Sequence, residues 1–93
     1  MNLADRYRIY IFEHPVHQPA QTRWAVANAL EYLGEGTNEQ IRTEAGLLMG
    51  KGPLSERCVT DNMRIMIKAG LVKRERVPSK KPRGKPWVYS VVK

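Results

Sequence analysis

The chain lacks the second cysteine needed for an internal disulfide and the long apolar runs needed to span a membrane. Cys58 is the single cysteine in 93 residues, and no apolar run exceeds four residues. A lone cysteine forms no internal disulfide, which indicates a reducing interior. Runs this short cannot cross a bilayer, and residues 1–5 lack the basic-then-apolar order of a secretory signal. We therefore expect a cytoplasmic protein with no membrane partner.

Signatures of catalysis and of metal binding are missing as well. The sequence contains no glycine-rich phosphate loop, no nucleophile–base pair and no acidic cluster for magnesium. His14 and His17 have no cysteine or carboxylate pair nearby, and two ligands are too few for a metal site. We expect no enzyme, no cofactor, no metal and no small-molecule ligand.

Acidic residues become scarce in the second half of the chain. Residues 1–50 hold four Lys/Arg and six Asp/Glu, a net charge of −2, whereas residues 51–93 hold twelve and three, a net charge of +9. This asymmetry predicts a polyanionic partner for the C-terminal half. The basic stretch is broken by Pro and Gly and forms no amphipathic helix, which disfavours a lipid surface. Exposed aromatic pairs for stacking RNA bases are also lacking.

The N-terminal segment fits two secondary structures. In residues 3–12, Tyr7, Ile9 and Ile11 alternate as in a strand, while Leu3, Tyr7 and Ile11 also share one helical face. The segment belongs to an N-terminal extension, residues 1–18, whose surplus of apolar and aromatic side chains suits a homodimer interface. It suits the completion of the monomer's core equally well.

Residues 19–93 read as one domain that begins with two helices. Residues 20–33 are rich in helix formers, and Gly34 is a C-terminal stop. Thr37 and Gln40 form a capping box for a second, shorter helix, which Gly46 is expected to end. The expected buried side chains are Trp24, Val26, Ala27, Leu30 and Leu33 in the first helix and Ile41, Ala45 and Leu48 in the second.

A third helix, residues 53–69, precedes two strands. Val59, Met63, Met66 and Ile67 mark its buried side, and Gly70 ends it. Residues 71–77 and 87–92 are strand-like, with an exposed basic loop, residues 78–86, between them. Cys58 and Trp87 are expected in the core. The resulting fold class is mainly α with a small β-hairpin, α+β.

The chain resembles the winged helix-turn-helix family of bacterial and archaeal regulators in the spacing of its apolar residues. The residues that carry the resemblance are Ile41, Val59, Met63, Met66 and the following Gly70-Leu71-Val72. Residues 68–74, Lys-Ala-Gly-Leu-Val-Lys-Arg, look like the family's passage from recognition helix into wing. The resemblance covers residues 19–92. It implies three core helices, a two-stranded wing and often an extra N-terminal helix, which favours helix for residues 3–12. The turn from Leu47 to Leu54 is longer than is usual in the family.

The resemblance implies that the outer face of the third helix reads the DNA major groove. A wheel of about 100° per residue places five side chains there, namely Arg57, Thr60, Asp61, Arg64 and Lys68. Either arginine can donate a bidentate pair to guanine, and Thr60 can contact a thymine methyl or a phosphate. Asp61 can accept from cytosine or instead orient a neighbouring arginine. The expected phosphate contacts are Lys51, Ser55, Lys73, Arg74 and Arg76.

The loop contains a motif for the minor groove. Pro82-Arg83-Gly84-Lys85-Pro86 resembles the AT-hook core, with Lys85 in place of an arginine. Gly84 lets an extended backbone approach the groove floor, and flanking cations are drawn to the negative potential of narrow A·T tracts. Lysine suits a narrow groove less well than arginine, so weaker binding is expected. Lys80 and Lys81 would join Arg83 and Lys85 there.

These features predict a protein that binds double-stranded DNA, A·T-rich under the wing, and acts in transcription control. A plasmid or viral replication, partition or packaging protein would carry the same features, because the fold serves all these roles. A winged-helix protein-interaction module is an alternative of another class. A homodimer would place two recognition helices about 34 Å apart. The expected location is the cytoplasm, at the nucleoid if the host is bacterial.

Overall fold

The fold is known from a computed structural model that describes residues 1–76 and 87–92. Four helices and three strands follow in the order α1 (Leu3–Glu13), α2 (Ala20–Leu33), β1 (Glu35–Thr37), α3 (Asn38–Leu48), α4 (Glu56–Lys68), β2 (Val72–Arg76) and β3 (Trp87–Val91). The strands form one antiparallel sheet in the order β1-β3-β2. The mainly helical α+β class is as predicted.

The N-terminal segment is a helix, which settles the ambiguity of residues 3–12. Asn2 caps α1 by accepting a hydrogen bond from the amide of Asp5 at 2.9 Å. Leu3 and Tyr7 are buried in the common core, because the helical repeat brings them to one side. The opposite side keeps Ile9 and Phe12 exposed. One face of α1 therefore helps to build the core while the other remains uncovered in this single chain.

The predicted limits of α2 and the start of α3 are confirmed. Gly34 ends α2 at φ 78°, in the left-handed region that favours glycine. Thr37 and Gln40 form the predicted capping box, with the Gln40 side chain accepting from the Thr37 amide at 2.9 Å. Both signals are local in sequence, which explains why they could be recognised there.

Two expectations for α3 are wrong. Gly46 does not end the helix, which continues to Leu48, and Leu48 is exposed instead of buried. Gly46 lies inside the helix because the backbone of Gly52 and Pro53 packs directly against it. A Cβ there would lie 2.7 Å from the Gly52 carbonyl carbon and 3.0 Å from Pro53 Cα. The glycine serves a close approach of two backbones, which its sequence context does not distinguish from a helix stop.

The third predicted helix is real but begins later than residue 53. Ser55 is the N-cap of α4, its hydroxyl accepting from the Cys58 amide at 3.1 Å, so Pro53 and Leu54 precede the helix. Val59, Met63 and Met66 are fully buried as expected, whereas Cys58 and Ile67 are only partly buried. Ala69 is the C-cap, and Gly70 follows at φ 77°.

The sheet has three strands in the described residues, which corrects the prediction of a two-stranded hairpin. The additional strand, β1, pairs with β3 so that Gly36 lies opposite Tyr89. On its other edge β3 pairs with β2, with Arg76 opposite Trp87 and Val72 opposite Val91. Three residues are too few to show an alternating pattern, and Gly36 looks like part of a turn. The predicted strand end at Val77 and the loop 78–86 lie outside the described residues.

Leu33 is only partly buried, and Trp24 departs further from the predicted core. It is 50% exposed, whereas its neighbours on the helical stripe, Val26, Ala27 and Leu30, are fully buried. The apolar stripe of α2 is wider than the surface that the rest of the chain covers, so a residue at its edge stays in solvent. Across residues 1–76 and 87–92, we find no helix with the length and apolar character needed to span a membrane.

Candidate nucleic-acid interface

The outer face of α4 carries the predicted polar residues on the side away from its buried stripe. Arg57, Arg64 and Lys68 are exposed, while Thr60 and Asp61 are partly buried. The helical repeat produces this separation, because the buried residues Val59, Met63 and Met66 recur every three or four positions. The five predicted side chains therefore share one accessible helix face.

Asp61 lies beside Arg57. Its carboxylate is 3.7 Å from the Arg57 Nε, one helical turn apart. The Arg57 side chain is 91% exposed, so this pair contributes little to stability. The arrangement corresponds to the second of the two roles considered for Asp61, the orientation of a neighbouring arginine. Arg64 has no ion-pair partner within the part of the chain that the structure describes.

The hydroxyl of Thr60 is already engaged within the protein. It donates to the carbonyl of Glu56 at 2.9 Å and accepts from the side-chain amide nitrogen (Nδ2) of Asn38 at 3.0 Å. The same Asn38 amide donates to the Glu56 carbonyl at 3.2 Å. Asn38, the first residue of α3, was not predicted as a site residue, because no local pattern connects it to a helix 18 residues later. These bonds fix α3 against the start of α4.

The two predicted phosphate contacts that precede α4 are both exposed, but one of them already has a structural role. Lys51 is exposed in the loop that precedes α4. Ser55 is exposed too, but its oxygen accepts the capping hydrogen bond, so its first role is structural. That loop is tied to α3, with Arg42 Nε donating to the Leu54 carbonyl at 2.6 Å and the Leu54 amide donating to the Arg42 carbonyl at 3.1 Å.

The cations of β2 point to both faces of the sheet. Lys73 lies on one face, 3.4 Å from the carboxylate of Glu75. Arg74 and Arg76, two residues apart, share the other face. The guanidinium carbon of Arg74 lies 4.4 Å from the centroid of the Trp87 ring, within the range of a cation–π contact. Trp87 is therefore only partly buried, and the face of its ring contacts the guanidinium group of Arg74.

A groove joins these two sets of residues. It has a volume of about 210 Å³ and lies between α4, the start of α3 and the sheet. Glu56 lines the groove at the N-terminal end of α4, where an acidic side chain complements the helix dipole. The other polar and aromatic lining residues are Asn38, Thr60, Arg64, Arg74, Trp87 and Tyr89. The groove therefore brings one arginine from a helix together with one from a strand.

The buried side of α4 is held by a polar contact. Asn62, which is fully buried, accepts from the Tyr7 hydroxyl at 2.7 Å and donates to the Cys58 carbonyl at 2.8 Å. Burial raises the pKa of the Tyr7 phenol well above its ordinary value, against an opposing effect of the Arg23 charge. Burial, and secondarily the Asp61 charge, also raises the pKa of the Cys58 thiol. Asn62 escaped prediction because its neighbours on the wheel are apolar.

The minor-groove prediction cannot be placed on the structure. Lys80, Lys81, Arg83, Gly84 and Lys85 all lie outside the described residues.

A second cleft, of about 260 Å³, lies between α1 and α2 and is bordered by Arg8, Arg23 and Trp24. The expectation that the chain takes no small-molecule ligand stays a prediction. Among residues 1–76 and 87–92, no three His, Cys, Asp or Glu side chains come together in a way that could hold a metal ion.

Comparison of the chain with protein-family models, with curated proteins and with solved structures finds no match.

Proposed function

We propose that the protein binds double-stranded DNA as a winged helix-turn-helix domain. In this proposal α3 and α4 form the helix-turn-helix, and the outer face of α4 enters the major groove. Strands β2 and β3, with the loop 78–86, form the wing, and its Arg83, Gly84 and Lys85 lie in an A·T-rich minor groove. The third strand, β1, extends the base of that wing.

One observation carries the proposal. A single helix has its apolar residues in the core and Arg57, Arg64 and Lys68 in solvent, next to a strand that adds Lys73, Arg74 and Arg76. A helix is the element that fits the width of the major groove, and arginine donates in pairs to guanine there. Cations on the adjacent strand are placed for phosphates, which position the helix without reading sequence.

The test is binding of a fluorescein-labelled 30-base-pair duplex, followed by anisotropy at several salt concentrations. We expect the logarithm of the binding constant to fall by about 0.9 for each phosphate neutralised per decade of salt. Replacing Arg64 by alanine should weaken binding to the preferred sequence at least fivefold, since a good bidentate base contact is worth about 1–3 kcal/mol.

Arg8→Ala is the matched control, because it removes the same charge from the exposed side of α1. Equal losses in the two variants would mean that only net charge matters. No measurable binding at low salt would refute the proposal and leave a protein-interaction module as the better hypothesis.

We propose transcription control as the role, with a cytoplasmic location, at the nucleoid if the host is bacterial. Replication, partition or packaging would use the same interface. The position of the bound site relative to a promoter or an origin separates these roles.

The proposal includes a homodimer formed through α1. Ile9 and Phe12 lie on its outer side, and Phe12 is 89% exposed. Two-fold pairing would present two copies of α4 to half-sites one helical turn apart. Analytical ultracentrifugation of the protein and of Phe12→Glu should show a dimer that the substitution dissociates. A wild-type monomer at high concentration contradicts it.

A further inference from the structure

The contact between Arg74 and Trp87 follows from the register of the sheet. Trp87 lies directly opposite Arg76 on the neighbouring strand, and Arg74 lies two residues from Arg76 on the same sheet face. Arg74 and Trp87 are therefore diagonal neighbours, a separation that long and aromatic side chains can bridge. The guanidinium carbon lies 4.4 Å from the ring centroid. The indole thus covers a cationic group that would otherwise move freely on an exposed strand.

Arg64 reaches the same groove from the other side. It projects from α4 and is exposed, while Arg74 comes from β2, and both line the 210 Å³ groove. Neither arginine forms an ion pair with any described residue. A guanidinium group is a planar set of donors and matches the oxygens of a phosphate better than a lysine would. Arg74 is therefore suited to a backbone phosphate beside the base that Arg64 is proposed to contact.

We propose that Trp87 is a positioning residue, which holds Arg74 over the groove so that Arg74 binds one backbone phosphate next to the base that Arg64 contacts. The inference rests on the DNA binding proposed above. A free arginine side chain loses rotamer freedom when it binds. An arginine already stacked on a ring has lost much of that freedom beforehand. Trp87 therefore strengthens binding through Arg74 and has no need to touch the DNA itself.

A double-mutant cycle tests the proposal on the same duplex and over the same salt series. Arg74→Ala should reduce the slope of log K against log salt by about 0.9, the loss of one phosphate contact. Trp87→Leu should leave the slope unchanged and weaken binding about two- to fivefold, the range of an exposed cation–π contact. In the Arg74→Ala background, Trp87→Leu should have no further effect. Trp87→Phe, which keeps an aromatic face, should lose less than Trp87→Leu.

Two results would overturn the inference. One is an equal loss from Trp87→Leu with and without Arg74, which would mean that Trp87 supports the fold or contacts DNA independently. The other is a Trp87→Leu protein that binds as the wild type does. If the wild type does not bind at all, the inference fails together with the proposed function. That outcome is recognised by a flat titration for every variant, whereas failure of the inference alone leaves wild-type binding intact.

Folding is monitored by thermal unfolding of each variant, with Val88→Ala as a control at the next residue of β3. Should Trp87→Leu fail to fold, the cycle is run with Trp87→Phe and Arg74→Ala. We expect Trp87→Phe to weaken binding while Arg74 is present and to have no further effect in the Arg74→Ala background, where the cation is gone. An undiminished effect of Trp87→Phe would overturn the proposal.

Discussion

Tyr7→Phe removes a single buried oxygen that connects α1 to α4. The Tyr7 hydroxyl donates to Asn62 Oδ1 at 2.7 Å, and both side chains are essentially inaccessible to solvent. The substitution leaves the ring in place but deprives Asn62 Oδ1 of its only donor among the described residues. An unsatisfied buried acceptor costs about 1–3 kcal/mol, more than the net worth of an average hydrogen bond. The free energy of unfolding should fall by that amount.

Urea denaturation and thermal unfolding, both followed by circular dichroism, measure the effect. For a domain of this size each kcal/mol lowers the unfolding midpoint by about 4–8 °C. Tyr32→Phe makes the same chemical change on the exposed surface of α2 and should stay within about 0.5 kcal/mol of wild type. If the two variants are equally stable, the Tyr7–Asn62 bond does not hold α4 against α1, and the reasoning fails.

Three further predictions concern the same packing. Burial raises the Tyr7 pKa above its ordinary value of 10.0, so above about pH 10 the folded state keeps a proton that the unfolded state loses. The stability advantage of wild type over Tyr7→Phe should therefore be full below about pH 10 and narrow above it. Unfolding titrations at alkaline pH measure this change. Gly46→Ala should lower the free energy of unfolding by about 1–3 kcal/mol, because the added methyl group overpacks against Gly52 and Pro53. Gly52→Ala adds a methyl group that points into open space and should not destabilise. Equal urea midpoints for the two variants would contradict this. Ser55→Ala should cost about 1 kcal/mol through the lost cap of α4, and an unchanged midpoint would show that the cap is dispensable.

The elements that the sequence predicted well depend on residues close together in the chain. The stop at Gly34, the capping box of Thr37 and the buried stripe of Val59, Met63 and Met66 can each be recognised within eight residues or fewer. The exposed face of α4 followed directly from that stripe, since residues opposite a buried face of a helix lie in solvent.

The features that escaped prediction depend on distant parts of the chain. Gly46 looked like a helix stop because its partner, the backbone at Gly52, becomes close only after the loop folds back. Strand β1 is defined by its pairing with β3, more than 50 residues later. Tryptophan is a large apolar residue that is often buried, but whether the helix edge at Trp24 is covered depends on what packs beside it. Local patterns predict faces, and tertiary contacts decide which faces are buried.

The position of α4 depends on this second kind of contact. Asn62 ties its buried side to α1, Asn38 ties Thr60 and Glu56 to α3, and Ser55 closes its first turn. These are polar contacts in a helix whose apolar stripe alone would allow small rotations and shifts, since apolar packing is not directional. Hydrogen bonds require defined distances and angles, so they limit these shifts and fix the exact direction in which the outward side chains of α4 point. If α4 reads DNA, weakening Tyr7–Asn62 should therefore reduce sequence discrimination by Arg64 more than it reduces nonspecific binding, because base contacts need an exact helix orientation and phosphate attraction does not.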